Sequence, residues 1–309
     1  MGGGGSRYFP RRSAGLAREL QQAQADAERQ EADVVINDYL RSLLVKLNAR
    51  DVDKINEHLD ILTAALDEKV DIDRLLFGGS VAKHTYVDGL SDVDALVVLD
   101  SAVHGQDSPQ QLIDRFASIL RTKLTKAKIE TIEKGQMAVT VTYRDGTEIQ
   151  LLPALQREGQ ISVPHAAANA WKAVDPAAFR DKLTAANDRL SKMLVPTIKL
   201  FKAAIAGLPE QQRVSGYHAE TLCASALENY SGPSSFRHML IHAFELGAKK
   251  VLSPIADITN QSRNVDADLG PADSAQRLVV REGFESIARR LKNHDTVEAW
   301  RSCIDPENR

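Results

Sequence analysis

Val34, Ile36, Tyr39, Leu40, Leu43, Leu44 and Leu47 recur at helical spacing in a stretch rich in Ala, Gln and Glu and free of proline. Three- and four-residue intervals place them on one side of a helix. Residues 14–47 therefore read as one long helix, and Ile55, Leu59, Leu62 and Leu66 as the apolar stripe of a second. The pattern then changes. Residues 74–77 form a short apolar run closed by Gly78-Gly79-Ser80, and 95–99 form another directly after Asp92 and Asp94. Residues 128–131, 137–143 and 148–152 read as strands, the last two joined by a turn over 144–147, with a helix over 109–126. Beyond Pro153 the spacing predicts almost only helix, at 176–187, 190–205, 217–229, 236–252 and 274–292, with a polar loop over 257–273.

Composition narrows the class. The 309 residues are 43% hydrophobic and 26% charged, which fits a globular chain. Thirty-nine Lys and Arg stand against 42 Asp and Glu, a net charge of −3. That argues against a protein coating duplex DNA, which needs a basic surplus. Cys223 and Cys303 are too few for a disulfide framework or a cysteine-rich zinc site. Residues 1–6 read as a glycine leader, and neither a signal peptide nor a membrane span is legible, so a cytoplasmic protein is expected.

The chemistry concentrates in 77–99. A strand leads into Gly78, Gly79 and Ser80; after eleven intervening residues Asp92-Val93-Asp94 opens an apolar strand. Side chains two apart on a strand share a face, so the two carboxylates stand about 6–7 Å apart. Such pairs bind hard divalent cations that retain sites for phosphate, and two such ions activate a hydroxyl and stabilise a leaving pyrophosphate. Glycines admit close backbone approach to phosphate, and Ser80 offers two donors. Alone, an Asp-x-Asp is a common turn; the combination with Gly-Ser and the apolar strand is far more specific.

This arrangement resembles the nucleotidyltransferase superfamily of polymerase beta and the CCA-adding enzymes. Within it the chain resembles the bacterial CD-NTases of CBASS anti-phage defence, relatives of cyclic GMP-AMP synthase and oligoadenylate synthase. The segment 191–202, followed by Ser215-Gly216-Tyr217-His218, is similar to the family's helical-lobe pattern. The resemblance implies an α+β fold: a polymerase-beta-like core with a long N-terminal spine helix over 14–160, and a helical C-terminal lobe over 161–309. It implies synthesis of a cyclic di- or trinucleotide from ATP and/or GTP, with Mg²⁺ (or Mn²⁺) as cofactor, a downstream effector that senses the product, regulatory protein partners and no DNA activator. Carried over by position, Gly79 and Ser80 bind the triphosphate, Asp92 and Asp94 hold metal, Lys199 and Ser215 contact phosphate, and Tyr217 stacks on a base. Plainer roles stand beside these: Lys199 as a solvated lysine, Ser215 as a helix cap, Tyr217 as a packed aromatic.

One position departs from the family. The third acid is normally an Asp three residues before a proline, and here that register holds Gln150, which cannot act as a base. Glu148, on the same strand face, is the alternative third catalytic and metal-binding carboxylate. A linear oligoadenylate or CCA-type transferase, and a catalytically silent nucleotide-binding subunit, remain as other readings. His238 and His242 are four apart but lack a third ligand, so they and His84, His165 and His218 read as core or surface histidines. Lys123, Lys126 and Lys128 read as a solvated face, and Trp171 and Trp300 as core or interface residues.

Overall fold

A computed structural model describes residues 11–49, 51–87, 92–124, 128–165, 168–261 and 264–305. The glycine leader and Lys126 lie outside them. The chain opens with α1 (Arg11–Leu47), α2 (Val52–Asp67), β1 (Ile72–Phe77), α3 (Gly79–Ala82), β2 (Val93–Leu99), α4 (Ser101–His104) and α5 (Pro109–Lys123). It continues through β3 (Ile129–Lys134), β4 (Val139–Tyr143), β5 (Glu148–Arg157), β6 (Gln160–His165) and β7 (Ala168–Val174). Six helices follow: α6 (Pro176–Arg189), α7 (Leu194–Ala206), α8 (Gly216–Ala226), α9 (Phe236–Lys250), α10 (Ala275–Asn293) and α11 (Val297–Ile304).

Local signals fix the helix ends. The Asp51 carboxylate accepts from the Lys54 N–H at 2.9 Å and starts α2. Ser108 and Gln111 form a reciprocal capping box with Pro109 in the first turn of α5. The sheet runs β1-β2-β5-β4-β3, with β2 and β5 parallel and the other pairs antiparallel. Helices α2 and α5 cover one face, burying Leu62, Leu66, Phe116 and Leu120 against Val97, Val139 and Leu151.

The expectation of helix beyond Pro153 is corrected here, because β5 runs on to Arg157 and β6 and β7 extend the sheet to Val174. Pro153 would normally end a strand, since it cannot donate to a ladder. Here β4 pairs with β5 only as far as Leu151, and β6 pairs with it only from Leu155. Pro153 falls in the gap and costs no ladder bond there. Gly159, at φ +81°, then turns the chain into β6. A lobe boundary at residue 160 would therefore divide a hairpin; sheet membership ends at Val174. The helices expected over 176–187 and 190–205 are separated by Ser191 and Lys192, both left-handed at φ +52° and +65°. Helix α11, with Trp300 fully buried, was not legible in the spacing.

The spine helix also differs in its allegiance. Its buried residues, Ile36, Leu40, Leu43, Leu44 and Leu47, pack with Phe201, Phe244, Phe284 and Trp300 of the helical lobe rather than with the sheet. Val87, just beyond α3, is buried in that same helical cluster. Among the described residues no helix is long and apolar enough to cross a membrane.

Candidate active site

Alternation along β2 turns Val93 and Ala95 into the core under α2 and α5 and leaves Asp92 and Asp94 on the opposite face. The glycine turn closes over Asp94. The Gly78 N–H donates to the Asp94 carbonyl at 2.8 Å. Gly79 is left-handed at φ +48°, and a Cβ there would collide with the Asp94 carboxylate, so only glycine fits. The Ser80 N–H bonds to that carboxylate, while the Ser80 carbonyl accepts from the N–H groups of Thr85 and Tyr86 at 2.9 and 3.1 Å.

Parallel pairing puts Asp94 opposite Gln150 and Val93 opposite Ile149, so Glu148 lies beside Asp92. The Gln150 side-chain amide donates to the Asp92 carboxylate at 2.7 Å. Burial pushes the proton affinity of Asp92 up, against the hydrogen bonds from Glu148 and Gln150. Burial, then the charge of Asp92, lifts the Asp94 carboxyl to about 6, against Lys83, the Ser80 N–H and Lys202. Glu148 is also pushed up, by burial and by the charge and hydrogen bond of Asp92. Neighbouring carboxylates whose proton affinity is raised chiefly by burial are a donor set that suits a hard cation. They are not a closed cage: among the described residues no three such side chains converge on one point. Asp94 is turned to Ser80 and Asp92 to Gln150 and Glu148.

Two cavities meet at this edge. One, of about 560 Å³, is lined by Gly79, Ser80, Asp94, Gln150, Ser215 and Tyr217 among others. The other, of about 570 Å³, is lined by Glu148, Lys54, Tyr86 and Arg213 among others. Asp92, Lys202 and Gly216 border both. Glu148 and Gln150 share a strand face yet open into different cavities.

Helix α8 presents its N-terminus to the first cavity. The Ser215 hydroxyl accepts from the His218 N–H at 3.2 Å and so caps that helix. The Tyr217 hydroxyl donates to Asp257 at 2.8 Å; the residue is 37% exposed, and its ring is tilted against Phe179 at 5.8 Å. Burial and Asp257 push the Tyr217 hydroxyl above its ordinary range.

Lys199 lies elsewhere: its ammonium donates to Asn48, at the end of the spine helix, and it does not line the cavity. Lysines of the cavity are Lys83 and Lys202; the latter, 7% exposed, donates from its ammonium to the Thr85 carbonyl at 3.1 Å. A signal for it existed. Lys202 is the one polar residue between Leu200-Phe201 and Ala203-Ala204-Ile205, all buried. Lys83, Phe179 and Glu220 were also missed, since nothing in their local spacing sets them apart. The histidines take plain roles: His218 is buried, with burial lowering its proton affinity to about 4, and His242 packs edge-on to Tyr230. Trp300 is core, and the Trp171 indole donates to the Asp107 carbonyl at 3.0 Å.

Residues 35–187 match the profile of the Second Messenger Oligonucleotide or Dinucleotide Synthetase domain, SMODS. The fold is shared with solved structures of low sequence identity. An E. coli MS115-1 CdnC solved with ATP is 18% identical, with a TM-score of 0.64, over 88% of this chain and 98% of that one. Bradyrhizobium diazoefficiens CdnG in complex with GTP is 14% identical, with a TM-score of 0.61, over 88% and 96%. Vibrio cholerae DncV cyclic AMP-GMP synthase, with a linear intermediate, is 12% identical, with a TM-score of 0.61, over 95% and 91%. No curated protein matches the chain.

Proposed function

Residues 35–187 carry the SMODS domain of the CD-NTases, and from that premise we propose that the chain joins ATP and/or GTP into a cyclic di- or trinucleotide messenger for anti-phage signalling in the cytoplasm. A ribose hydroxyl of one nucleotide attacks the α-phosphorus of another, the bond to the β,γ-phosphates breaks, and pyrophosphate leaves. A second such step closes the ring. The observation that carries this reading is the pair of similar cavities meeting at Asp92 and Lys202. One would hold the triphosphate that is attacked, the other the nucleotide that attacks.

Asp92 and Asp94 would hold Mg²⁺ or Mn²⁺, which neutralises triphosphate charge and makes the attacking hydroxyl more acidic. Ser80 donates to the phosphates through its hydroxyl, and so does Ser215 from the N-terminus of α8. The Tyr217 face takes a base. Glu148 opens into the second cavity beside Asp92 and accepts the hydroxyl proton there, its raised proton affinity suiting it to a base. E. coli MS115-1 CdnC was solved in a complex with HORMA-deltaN; for this chain a regulatory protein and a product-sensing effector are the corresponding proposals.

The test is incubation with all four nucleoside triphosphates and Mg²⁺, then phosphatase and mass spectrometry. Phosphatase-resistant product is expected. Phosphatase-sensitive oligomers would assign a linear transferase. The unconverged carboxylates and Gln150 favour a silent nucleotide-binding subunit as the second reading, which predicts binding without product.

Substitutions at Tyr217, Lys202 and Lys199 check the assignments. Tyr217→Ala should weaken nucleotide binding by about 1–3 kcal/mol, the scale of one base stack, and Tyr217→Phe should be mild. Equilibrium binding of a non-hydrolysable ATP analogue measures both; unchanged affinity in folded Tyr217→Ala overturns stacking. Lys202→Met should raise KM and lower turnover by at least about tenfold, the scale of one lost charge-assisted contact. Lys199→Met should leave both within about twofold. Steady-state kinetics of the pair distinguishes the two lysines.

A further inference from the structure

Glu220, on α8, is fully buried. One oxygen faces the Lys83 ammonium at 2.5 Å. The other accepts from the Thr85 hydroxyl and lies 3.4 Å from the Lys202 ammonium. These partners come from two directions. Lys83 and Thr85 follow the glycine turn, whereas Lys202 and Glu220 stand on α7 and α8 of the helical lobe. The Lys83 ammonium also sits 4.4 Å from the Phe179 ring centre and 4.7 Å from that of Tyr217. Lys83, Lys202 and Glu220 all line the cavity that holds Ser80 and Asp94.

A buried carboxylate needs donors or a cation, and this one has a hydroxyl and two ammoniums. Two positive charges against one negative leave one ammonium uncompensated by Glu220. The next carboxylate, Asp94, is felt by both lysines. Once Asp94 is turned to other partners, that excess faces the cavity, where polyphosphate would lie. Glu220 is engaged with its neighbours: one oxygen is ion-paired with Lys83, and the other is held by Thr85 and Lys202.

We propose that Glu220 is a positioning residue: it holds the Lys83 and Lys202 ammoniums at fixed places and keeps them from collapsing onto the triphosphate. This deepens the nucleotidyltransferase reading and rests on it. A charge holder differs from a plain structural contact in the sign of its effects. With the carboxylate removed, two loosened cations pair more strongly with a polyanion while no longer aligning it. Ground-state binding then tightens as turnover falls.

The experiment compares wild type with Glu220→Gln, which keeps the shape and an acceptor for Thr85. Calorimetry with a non-hydrolysable ATP analogue gives Kd across a salt series, and product formation gives turnover. Glu220→Gln should bind the analogue at least about threefold more tightly, with a steeper salt dependence, while turnover falls at least about tenfold. Affinity that falls in step with turnover in a folded protein, or turnover that is unchanged, overturns the proposal. If wild type binds no analogue, the nucleotide reading fails with it; if wild type binds and the variant behaves identically, only the role of Glu220 fails. Should Glu220→Gln not fold, Lys83→Met combined with Glu220→Gln restores the charge match. That pair should show wild-type affinity with turnover still reduced at least about tenfold, and a fully active pair overturns the proposal.

Discussion

Replacing Asp92 and Asp94 together by Asn is expected to end product formation, with turnover lowered by at least about a hundredfold, the scale of losing preorganised charge at a transition state. The same change is expected to stabilise the protein at neutral pH when divalent cations are chelated. The sign follows from the carboxyl of Asp94, raised from 3.8 to about 6 chiefly by burial. A group with a raised value contributes its full stability below its unfolded value, and that contribution is lost as pH rises through the folded value. Wild type therefore loses stability between about pH 4 and about pH 6, by up to about 3 kcal/mol for Asp94. Asparagine has no proton to lose. Thermal melts in chelator should show the variant gaining on wild type across that window and matching it most closely below it. Turnover within about tenfold of wild type would refute the metal assignment.

The second large effect concerns the irregular third acid. Glu148→Gln should lower turnover as severely as the aspartate pair, by at least about a hundredfold, and should shift the dependence on Mg²⁺ to higher concentration. The reason is local: Glu148 lies beside Asp92 across the parallel ladder and opens into the cavity proposed for the attacking hydroxyl. Gln150 faces the other cavity and donates to Asp92 at 2.7 Å, so it serves as a neutral support for that carboxylate. Gln150→Asp replaces this donor with another negative charge and should lower the melting temperature in chelator, with recovery on adding Mg²⁺. Titrations of rate and melting temperature against Mg²⁺ give both results. A fully active Glu148→Gln enzyme with unchanged metal dependence would remove Glu148 from the mechanism.

What the sequence made legible was what short-range spacing records. Gly-Gly-Ser and Asp-x-Asp are local, and the turn and strand they encode lie together as expected. The amphipathic stripes of α1, α2 and α5 are local as well. The strands β6 and β7 were obscured by Pro153, whose tolerance depends on where two neighbouring strands begin and end, a fact the local sequence does not carry. Lys199 looked the better phosphate ligand by position, but the direction of its side chain is decided by Asn48, 151 residues away. Glu220 is the extreme case. It looks like an ordinary helix glutamate, and its meaning arises from Thr85, 135 residues earlier, and from two lysines on separate elements.

The allegiance of the spine helix bears on how the cleft behaves mechanically. Among the described residues the backbone passes between the sheet core and the helical core between Leu47 and Ile55 and again between Val174 and Phe179. Two covalent crossings alone would act as the pins of a door hinge. Val87 adds a third fastening, a side chain from the sheet side plugged into the helical core. The ion pair of Lys83 with Glu220 ties the glycine turn to the helical lobe as well, and each such tie resists rotation of one core against the other. With these ties the slot between Ser80 and Tyr217 is expected to keep the same width with and without nucleotide.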